Sequence, residues 1–319
     1  MAFNSRSRQL WFKKQVTRGT FVAVTSADQK VIVYDRGDIK RDYGHTGGAD
    51  RADGTFNKGR SYSGKKSASI DFKAELQFSG VLATSPKVFD LLEGCGCYVT
   101  NTTNAIATWT GVPNCQCIEF GLPEYSCGST PTGLVEHISS AAGSFEIGAE
   151  SVGAPVYIKF NFTGKQAGQV DIAAGAMVAP AGFDTAVCEK FLGSASTFTM
   201  NSIVYRVYSW NAVVGQDLQA EENSADVTGG IDTGIFAYGV KGCNPQLTLT
   251  VERVGIATND IYASVEGDTT YATATLATAH FDILFTVAQV TDIQAANSNG
   301  TSAETLTVKF DTLAIKQMR

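Results

Sequence analysis

Residues 67–97 read SASIDFKAELQFSGVLATSPKVFDLLEGCGC. Apolar and polar residues alternate without a break from Ser67 to Ser79. Because successive side chains of a strand point to opposite sides, this pattern predicts one long strand with a dry face and a polar face. Gly80 is predicted to end the strand, and Ser85-Pro86 to begin a short helix with Pro at its first position. Gly94 is predicted to cap that helix in a left-handed conformation.

Strand patterns dominate the rest of the chain. Five further segments show apolar alternation or a β-rich composition: 156–163, 197–210, 247–251, 281–287 and 306–310. Clusters of Gly, Asn, Asp and Ser separate them and predict hairpin turns, as at 297–300. Helical signals are few: Ser85 to Glu93, Asp184 to Leu192 and a weak stretch around Ser224. The fold class predicted is mainly β, an antiparallel β-sandwich or barrel with one or two short helices.

Composition and charge exclude several classes of protein. The 319 residues contain no run of 18 apolar residues, which argues against a membrane-spanning helix. The first 15 residues carry charge but no apolar core, which argues against a secretory signal. A net charge of −6 gives no general affinity for nucleic acid. We therefore expect a soluble, non-secreted protein without general affinity for nucleic acid.

Residues 35–66 do not fit a compact β domain. This segment has seven glycines, no apolar period and a charge of +3, from eight basic and five acidic residues. Structureless segments of this length are usually functional or disordered. A mobile surface loop and an arm that binds an acidic copy of the same protein both remain open. The basic residues of the arm are Arg36, Lys40, Arg41, Arg51, Lys58, Arg60, Lys65 and Lys66.

Residues that signal catalysis are scarce. None of the three histidines, His45, His137 and His280, belongs to a recognisable catalytic signature. Phosphate loops, nucleophile elbows and dinucleotide fingerprints are also missing from the sequence. We therefore expect no enzymatic activity and no cofactor; a thiol hydrolase that uses a cysteine with His137 is the alternative.

Seven cysteines form the one group of residues with potential chemistry. Three interpretations stay open: reduced thiols in the core, disulfides, and a zinc site formed by the two C-x-C pairs. Structural zinc sites favour C-x-x-C spacing, so the zinc signal is the weakest of the three. The odd number means that at least one thiol is free or pairs with another chain. The cysteines are Cys95, Cys97, Cys115, Cys117, Cys127, Cys188 and Cys243.

The segment 67–97 resembles the tail tube proteins of long-tailed bacteriophages. In that family an alternating strand ends in Gly, a spacer carries a Pro, and an apolar helix ends in L-L-x-x-C-G. The matching positions are Leu76 to Gly80, Ser85-Pro86 and Leu91 to Gly96. Two other pieces are similar to the family's N-terminal strand and turn and to its next sheet portion: 8–20 and 144–164. The second C-x-C pair departs from the family pattern.

The resemblance implies a protein of the virion tail that is made in the host cytoplasm. It would form rings whose inner strands close into a β-barrel, and stacking of the rings would make a conduit for ejected DNA. We expect the strand from Ser67 to find its missing edge in an identical neighbour. The arm at 35–66 would contact the next ring, and the implied partners are the protein itself, the baseplate, the terminator, a sheath if the tail contracts, and DNA as non-specific passing cargo. The candidates to line the lumen are Asp71, Lys73, Glu75 and Gln77.

The organisation of the chain leaves alternatives. Residues 1–319 are expected to form one assembly unit, as six copies in a ring or as three copies with similar halves at 1–165 and 166–319. Otherwise 211–280 would be an outer insertion. The other classes that fit the sequence are a different virion component (tail terminator, baseplate hub or decoration protein) and a carbohydrate-binding β-sandwich that uses Trp109 and Trp210.

Overall fold

The computed structural model describes residues 9–31, 33–45, 63–114, 116–125, 133–172, 188–192, 196–255, 260–298 and 301–318. Antiparallel strands make up most of this part of the chain, and two short helices accompany them. The mainly β fold class predicted from the sequence is therefore confirmed.

The elements up to residue 172 include two unusually long strands that form a hairpin. In chain order they are β1 (Trp11–Lys14), β2 (Gln29–Lys30), β3 (Val33–Arg36), β4 (Lys40–Asp42), β5 (Ser67–Glu75), α1 (Lys87–Gly94), β6 (Tyr98–Asn101), β7 (Ala105–Trp109), β8 (Ile118–Tyr125), β9 (Gly133–Ala149) and β10 (Tyr157–Ile172).

The elements after residue 196 again include a long strand followed by its hairpin partner. They are β11 (Thr197–Met200), β12 (Ile203–Tyr205), β13 (Val207–Val213), β14 (Asp217–Glu222), β15 (Val227–Thr228), β16 (Ile231–Asp232), β17 (Ile235–Gly242), β18 (Gln246–Glu252), α2 (Ile261–Glu266), β19 (Thr270–Ala277), β20 (Phe281–Ser298), β21 (Thr301–Lys309) and β22 (Thr312–Gln317).

One large antiparallel sheet connects most of these strands. Its first part runs β2-β1-β8-β9-β10-β5, and β3 and β4 lie end to end along the outer edge of β5. The C-terminal end of β9 pairs with β13, and the sheet continues through β18, β21 and β20. The N-terminal part of β20 lies between β19 and β22, which lead to β11-β12 and to β7-β6 respectively. Within the described ranges these pairings close no barrel, and the fold is sandwich-like.

The dry faces of this sheet enclose one large core, and two small hydrophobic clusters lie apart from it. Ala68, Ile70, Phe72 and Ala74 alternate with partly exposed residues along β5, as the sequence predicted. The dry side of α1 covers the core, where Phe89 lies 6.5 Å from Phe281 between ring centroids. Residues from both parts of the chain belong to this core, so it fixes their relative position.

The strand β5 is an interior strand, which corrects the expectation that it finds a missing edge in a neighbour. β10 pairs with it from Ser67 to Glu75 on one side. On the other side β3 and β4 pair with it, and the Gly37 N–H donates to the Asp71 carbonyl at 2.7 Å between them. Within the described residues, the outer strands on this side of the sheet are therefore β3 and β4.

The end of α1 differs from its predicted geometry. Pro86 is the N-cap and not the first helical residue, and Gly94 is the last helical residue and not a left-handed cap. The left-handed residue is Gly96, with φ of +80°. Gly94 is glycine for another reason, because a Cβ at that position would clash with Ile118 and press on Phe162.

Two other helix predictions are wrong. Residues 188–192 are extended and form bridges with Gln77 and Pro155, while residues 184–187 lie outside the described ranges. The stretch around Ser224 is a turn between β14 and β15. The predicted strand 197–210 is broken into three. A tight turn at Asn201-Ser202 separates β11 from β12, and both of its residues have positive φ, as hairpin turns of two residues require. Arg206 separates β12 from β13. The helix α2 was not predicted; the Asp260 side chain caps it by accepting from the Ala263 N–H at 3.0 Å.

Candidate functional site: the polar sheet face

Seven neighbouring strands present one continuous polar surface. The pairing registers place one residue of each strand directly opposite the next, and none of the seven is buried. Since side chains directly opposite each other lie on the same face of a sheet, the row defines a single surface about 30 Å wide. From β5 to β20 the row is Lys73, Lys159, Glu146, Val213, Gln246, Lys309 and Gln289.

A second row lies two residues away along each strand, except in β20, where a bulge makes the distance three residues. It consists of Glu75, Tyr157, Gly148, Asn211, Thr248, Thr307 and Asp292. We call these two rows, together with Asp71, Asn161 and Ser144, the polar face. Across these residues side chains are small, amide, hydroxyl or charged, with Val213 and Tyr157 as the larger apolar groups.

The charges of the polar face are interleaved and nearly balanced. Three lysines (Lys73, Lys159, Lys309) stand against four carboxylates (Asp71, Glu75, Glu146, Asp292). Lys159 Nζ lies 2.9 Å from Glu146, and Lys40 Nζ, from the adjoining β4, lies 2.8 Å from Asp71. Exposed pairs of this kind add little stability, about 0–1 kcal/mol each. Their effect is to leave no concentrated positive patch on this surface.

A shallow cleft of about 350 Å³ lies on the polar face between β5, β10, β9 and β13. Asp71, Asn161, Glu146 and Lys159 are among its lining residues. These polar groups already bind one another, since Asn161 Nδ2 donates to Asp71 Oδ1 at 2.6 Å. The cleft is therefore an undulation of a flat surface and no enclosed binding pocket.

Three of the four lumen candidates lie on the polar face. Asp71, Lys73 and Glu75 are partly exposed there, and Lys73 Nζ lies 5.0 Å from the ring centroid of Tyr157. Gln77 is buried, with 7% of its surface exposed. The regular strand ends at Glu75, and the segment around Cys188 pairs with Gln77 and covers it.

The described ends of the arm contact other parts of the same chain. Lys40 pairs with Asp71, Arg41 with Glu136 and Lys65 with Glu222. The Lys66 N–H donates to the Thr233 carbonyl at 3.0 Å. The Gly64 N–H donates to the Tyr43 carbonyl at 3.0 Å, so that the two ends leave the sheet side by side. Three of the predicted contact residues, and the side chain of a fourth, lie outside the described part: Arg51, Lys58, Arg60 and Arg36.

Five of the seven cysteines are described, and all five are free thiols. Cys95, Cys97 and Cys117 are buried, Cys188 is half-buried and Cys243 is exposed. Burial raises the pKa of Cys95, Cys97 and Cys117, and it raises the pKa of Cys188 to about 12. Thiols of this kind are poor nucleophiles at neutral pH. Cys115 and Cys127 lie outside the described ranges. Among the described residues, no His, Cys, Asp and Glu side chains cluster so that they could hold a metal ion.

A buried polar cluster behind the sheet was missed by the sequence analysis. Ser139 Oγ donates to Glu119 Oε1 at 2.9 Å, and Gln15 Nε2 donates to the same carboxylate and to Ser140 Oγ. Burial raises the pKa of Glu119 to about 7. The sequence held a weak signal, because Glu119 stands between the apolar Ile118 and Phe120 and the Ser139-Ser140 pair breaks the alternation of β9. Glu119 and both serines are fully buried, so no substrate reaches them.

A buried ion pair lies near this cluster. The Lys165 ammonium is fully buried and lies 3.1 Å from Asp226. It also donates to the Gly19 carbonyl at 3.0 Å. Since β14 to β17 form two small sheets beside β9 and β10, this pair fastens that region to the main sheet.

No family model matches the chain, and no curated protein matches it. Among the described residues, no helix is long and apolar enough to cross a membrane.

Proposed function

We propose that the protein is a structural subunit of a phage tail tube, which polymerises as stacked rings into a hollow conduit for viral DNA. The observation that carries the proposal is the polar face. It is a sheet surface seven strands wide, and its opposite side is filled by the core of the subunit.

This geometry suits the inner wall of a ring. A wide antiparallel sheet twists and curves, and it has two edges that invite pairing. Joining such edges between copies removes them and yields a closed barrel. With the dry side of each sheet occupied by its own core, the side left for the lumen is the polar face.

The charges of the polar face suit passage of DNA more than its retention. Affinity for a duplex rises with the number of phosphates that lysine and arginine side chains neutralise. The lysines here are few, and Lys159 is neutralised by Glu146 at 2.9 Å. A wall of this composition lets a duplex slide, and it reads no bases, which would require side chains shaped to enter a groove.

Stacking of rings is assigned to the arm. Its two ends emerge together at Tyr43 and Gly64, near the start of β5 and thus at one end of the polar-face strands. A contact from this end to the opposite end of the next ring is heterologous, and heterologous contacts repeat into filaments. The ends of the finished tube would meet other tail proteins such as the baseplate and the terminator.

The described side chains support a role without catalysis. The buried thiols have raised pKa values, and burial lowers the pKa of His137. Trp109 and Trp210, the aromatic residues considered for sugar binding, are each 2% exposed, so neither offers a ring to a carbohydrate. These observations favour an assembly protein over a hydrolase or a lectin-like sandwich.

Sedimentation velocity and negative-stain electron microscopy of the purified protein test the proposal. Hollow tubes of uniform diameter are expected as concentration rises. Single rings that never stack would instead indicate a terminator, hub or decoration protein. A monomer at all concentrations would overturn the proposal.

A further inference from the structure

We infer that the chain contains the same four-strand unit twice, and that the junction between its two units is repeated between neighbouring chains. That the chains form a ring is taken from the proposed function. The strands that join neighbouring chains, their register and the number of chains follow from the pairings described below.

The order of elements is the same in both units. The first consists of β3, β5, β9 and β10, and the second of β13, β18, β20 and β21. A helix follows the second strand in each, α1 after β5 and α2 after β18. Across the sheet, both units place the first strand beside the second, then the fourth, then the third.

The registers of the first two strands also agree. Val33 pairs with Ala74, and the next pair along the two strands is Asp35 with Lys73, so one residue of β3 is skipped. In the second unit Val207 pairs with Val251, followed by Ser209 with Thr250, with one residue of β13 skipped. The skipped residues are Tyr34 and Tyr208. Both pairs are related by the same offsets, 174 residues for the first strand (207 − 33) and 177 for the second (251 − 74).

The long strands share an irregularity. β9 and β20 span 17 and 18 residues, and each contains a non-glycine residue with positive φ, Ser140 at 50° and Val287 at 51°. Positive φ is costly for a β-branched residue such as Val287 and indicates a constrained bend. In both strands the part before the bend pairs with the preceding strand, β8 or β19.

The two long strands differ after the bend. The end of β9 pairs with β13, on the side opposite to β10, and places Gly148 opposite Asn211. On the corresponding side of β20, no described strand pairs with Thr291 to Ala296. The outer side of β3, the counterpart of β13, likewise has no partner strand within the described residues. We expect the end of β20 in one chain to pair with β3 of a second copy, as the end of β9 pairs with β13 within the chain.

The internal junction predicts the register of the external one. Ala296 is the counterpart of Gly148, since each lies opposite the corresponding hairpin residue, Ala303 or Tyr157. Gly37 is the counterpart of Asn211 (211 − 174). Ala296 of one chain therefore lies opposite Gly37 of the next.

Gln294 lies two residues before Ala296 in β20. It is therefore expected opposite the irregularity between β3 and β4 of the next chain. Arg36 pairs with Phe72 and Lys40 with Ser69, so one residue is skipped before Lys40. Lys40 lies beside the polar face and on the same side of the sheet, where it binds Asp71. Gln294 lies on that side as well, two residues from Asp292 in β20. Gln294 and Lys40 of adjacent chains are thus expected to be side by side.

The stagger of the sheet allows closure. The row that begins at Lys73 in β5 reaches Gln246 in β18, four strands away. The counterpart of Gln246 in β5 is Ser69 (246 − 177), which is four residues from Lys73. The register is therefore displaced by four residues over four strands. One residue per strand is the ratio of an eight-stranded barrel of shear 8, in which strands tilt by about 36°.

The same geometry sets the number of chains. At that tilt and a spacing of about 4.8 Å each strand occupies roughly 6 Å of circumference. With β3 and β4 counted as one, each chain supplies eight strands. Three chains then give a barrel of about 45 Å between opposite backbones, and six chains one of about 90 Å. Three chains leave room for one duplex, so the ring is expected to be a trimer with pseudo-sixfold symmetry.

Disulfide trapping tests the junction. In a Cys243→Ser background, Lys40→Cys with Gln294→Cys is oxidised after assembly and run on a denaturing gel without reductant. Opposite residues of paired strands are within disulfide reach. The expected products are covalent dimers and a closed trimer, with the linked peptides identified by mass spectrometry. The matched control, Lys40→Cys with Ala295→Cys, places the second thiol on the other side of β20 and is expected to remain monomeric.

The outcomes separate this inference from the proposed function. Tubes without the cross-link, or a ladder that ends at six chains, would overturn the junction or its stoichiometry while the tube function stands. Closed covalent trimers that never stack would support the junction and overturn the tube function. Protein that forms no particle and no cross-link would overturn both.

Discussion

Replacing Phe72 tests the assignment of the two faces of β5 most sharply. Phe72 is 1% exposed, and its ring centroid lies 5.2 Å from that of Phe160, 6.0 Å from Phe162 and 6.1 Å from Phe120. Truncating a buried Phe to Ala costs about 3–5 kcal/mol. Because three aromatic partners lose their contacts, we expect a value near the upper end for Phe72→Ala.

The neighbouring residue provides the matched control. Lys73 points to the polar face, where it lies 3.5 Å from Glu150 and over the Tyr157 ring. An exposed ion pair and an exposed cation–π contact are each worth about 0.5 kcal/mol, so Lys73→Ala is expected to cost about 1 kcal/mol in total.

Urea unfolding followed by tryptophan fluorescence measures both effects, at a concentration where sedimentation shows single subunits. With a slope of about 3 kcal/mol/M, Phe72→Ala should lower the midpoint by more than 1 M and Lys73→Ala by about 0.3 M or less. Equal shifts for the two variants, or a larger one for Lys73→Ala, would refute the face assignment.

Three further predictions follow from other parts of the fold. Gly94→Ala should destabilise the protein by about 2 kcal/mol or more, because the added Cβ would clash with Ile118. Gly80→Ala is the control: Gly80 has φ of +82°, but no atom lies within 4 Å of the added Cβ, so the cost should be only about 1 kcal/mol. Thermal unfolding of both variants measures the difference. The pKa of Glu119 in the folded state is about 7, above its ordinary value of 4.5, so the free energy of unfolding should fall by roughly 3 kcal/mol between pH 4.5 and 7. Urea titrations at several pH values should show that Glu119→Gln removes this dependence on pH. An unchanged dependence in the variant would mean that Glu119 is not its cause. Replacing residues 46–62 by a two-residue turn should preserve the Tyr43–Gly64 hydrogen bond and the circular dichroism spectrum but abolish stacking; normal tubes from this variant would count against the arm.

The sequence predicted the elements whose side chains follow a simple period. The alternation from Ser67 revealed β5 and its dry face, and the helix that follows was placed to within two residues. These features depend on neighbouring residues along the chain. The local signals fail where a distant segment decides the outcome: Gln77 is buried because residues around Cys188 pair with it, and Gly94 is required by contacts with Ile118 and Phe162.

The candidate site was predicted only in part. Alternation identified Asp71, Lys73 and Glu75 as a polar stripe, but it could not show that six more strands extend the stripe into one surface. That property depends on register, which is set by pairings between residues far apart in sequence, such as Glu146 with Val213. The two four-strand units are similarly hidden, because their side chains differ while their pairing pattern is shared.

A cryo-electron microscopy map of the assembled protein tests the central claim most directly. The map is expected to show a hollow tube of three chains per ring, with the row from Lys73 through Lys159 and Glu146 on the inner wall. A particle in which this surface faces outward, or is buried against another protein, would contradict the account.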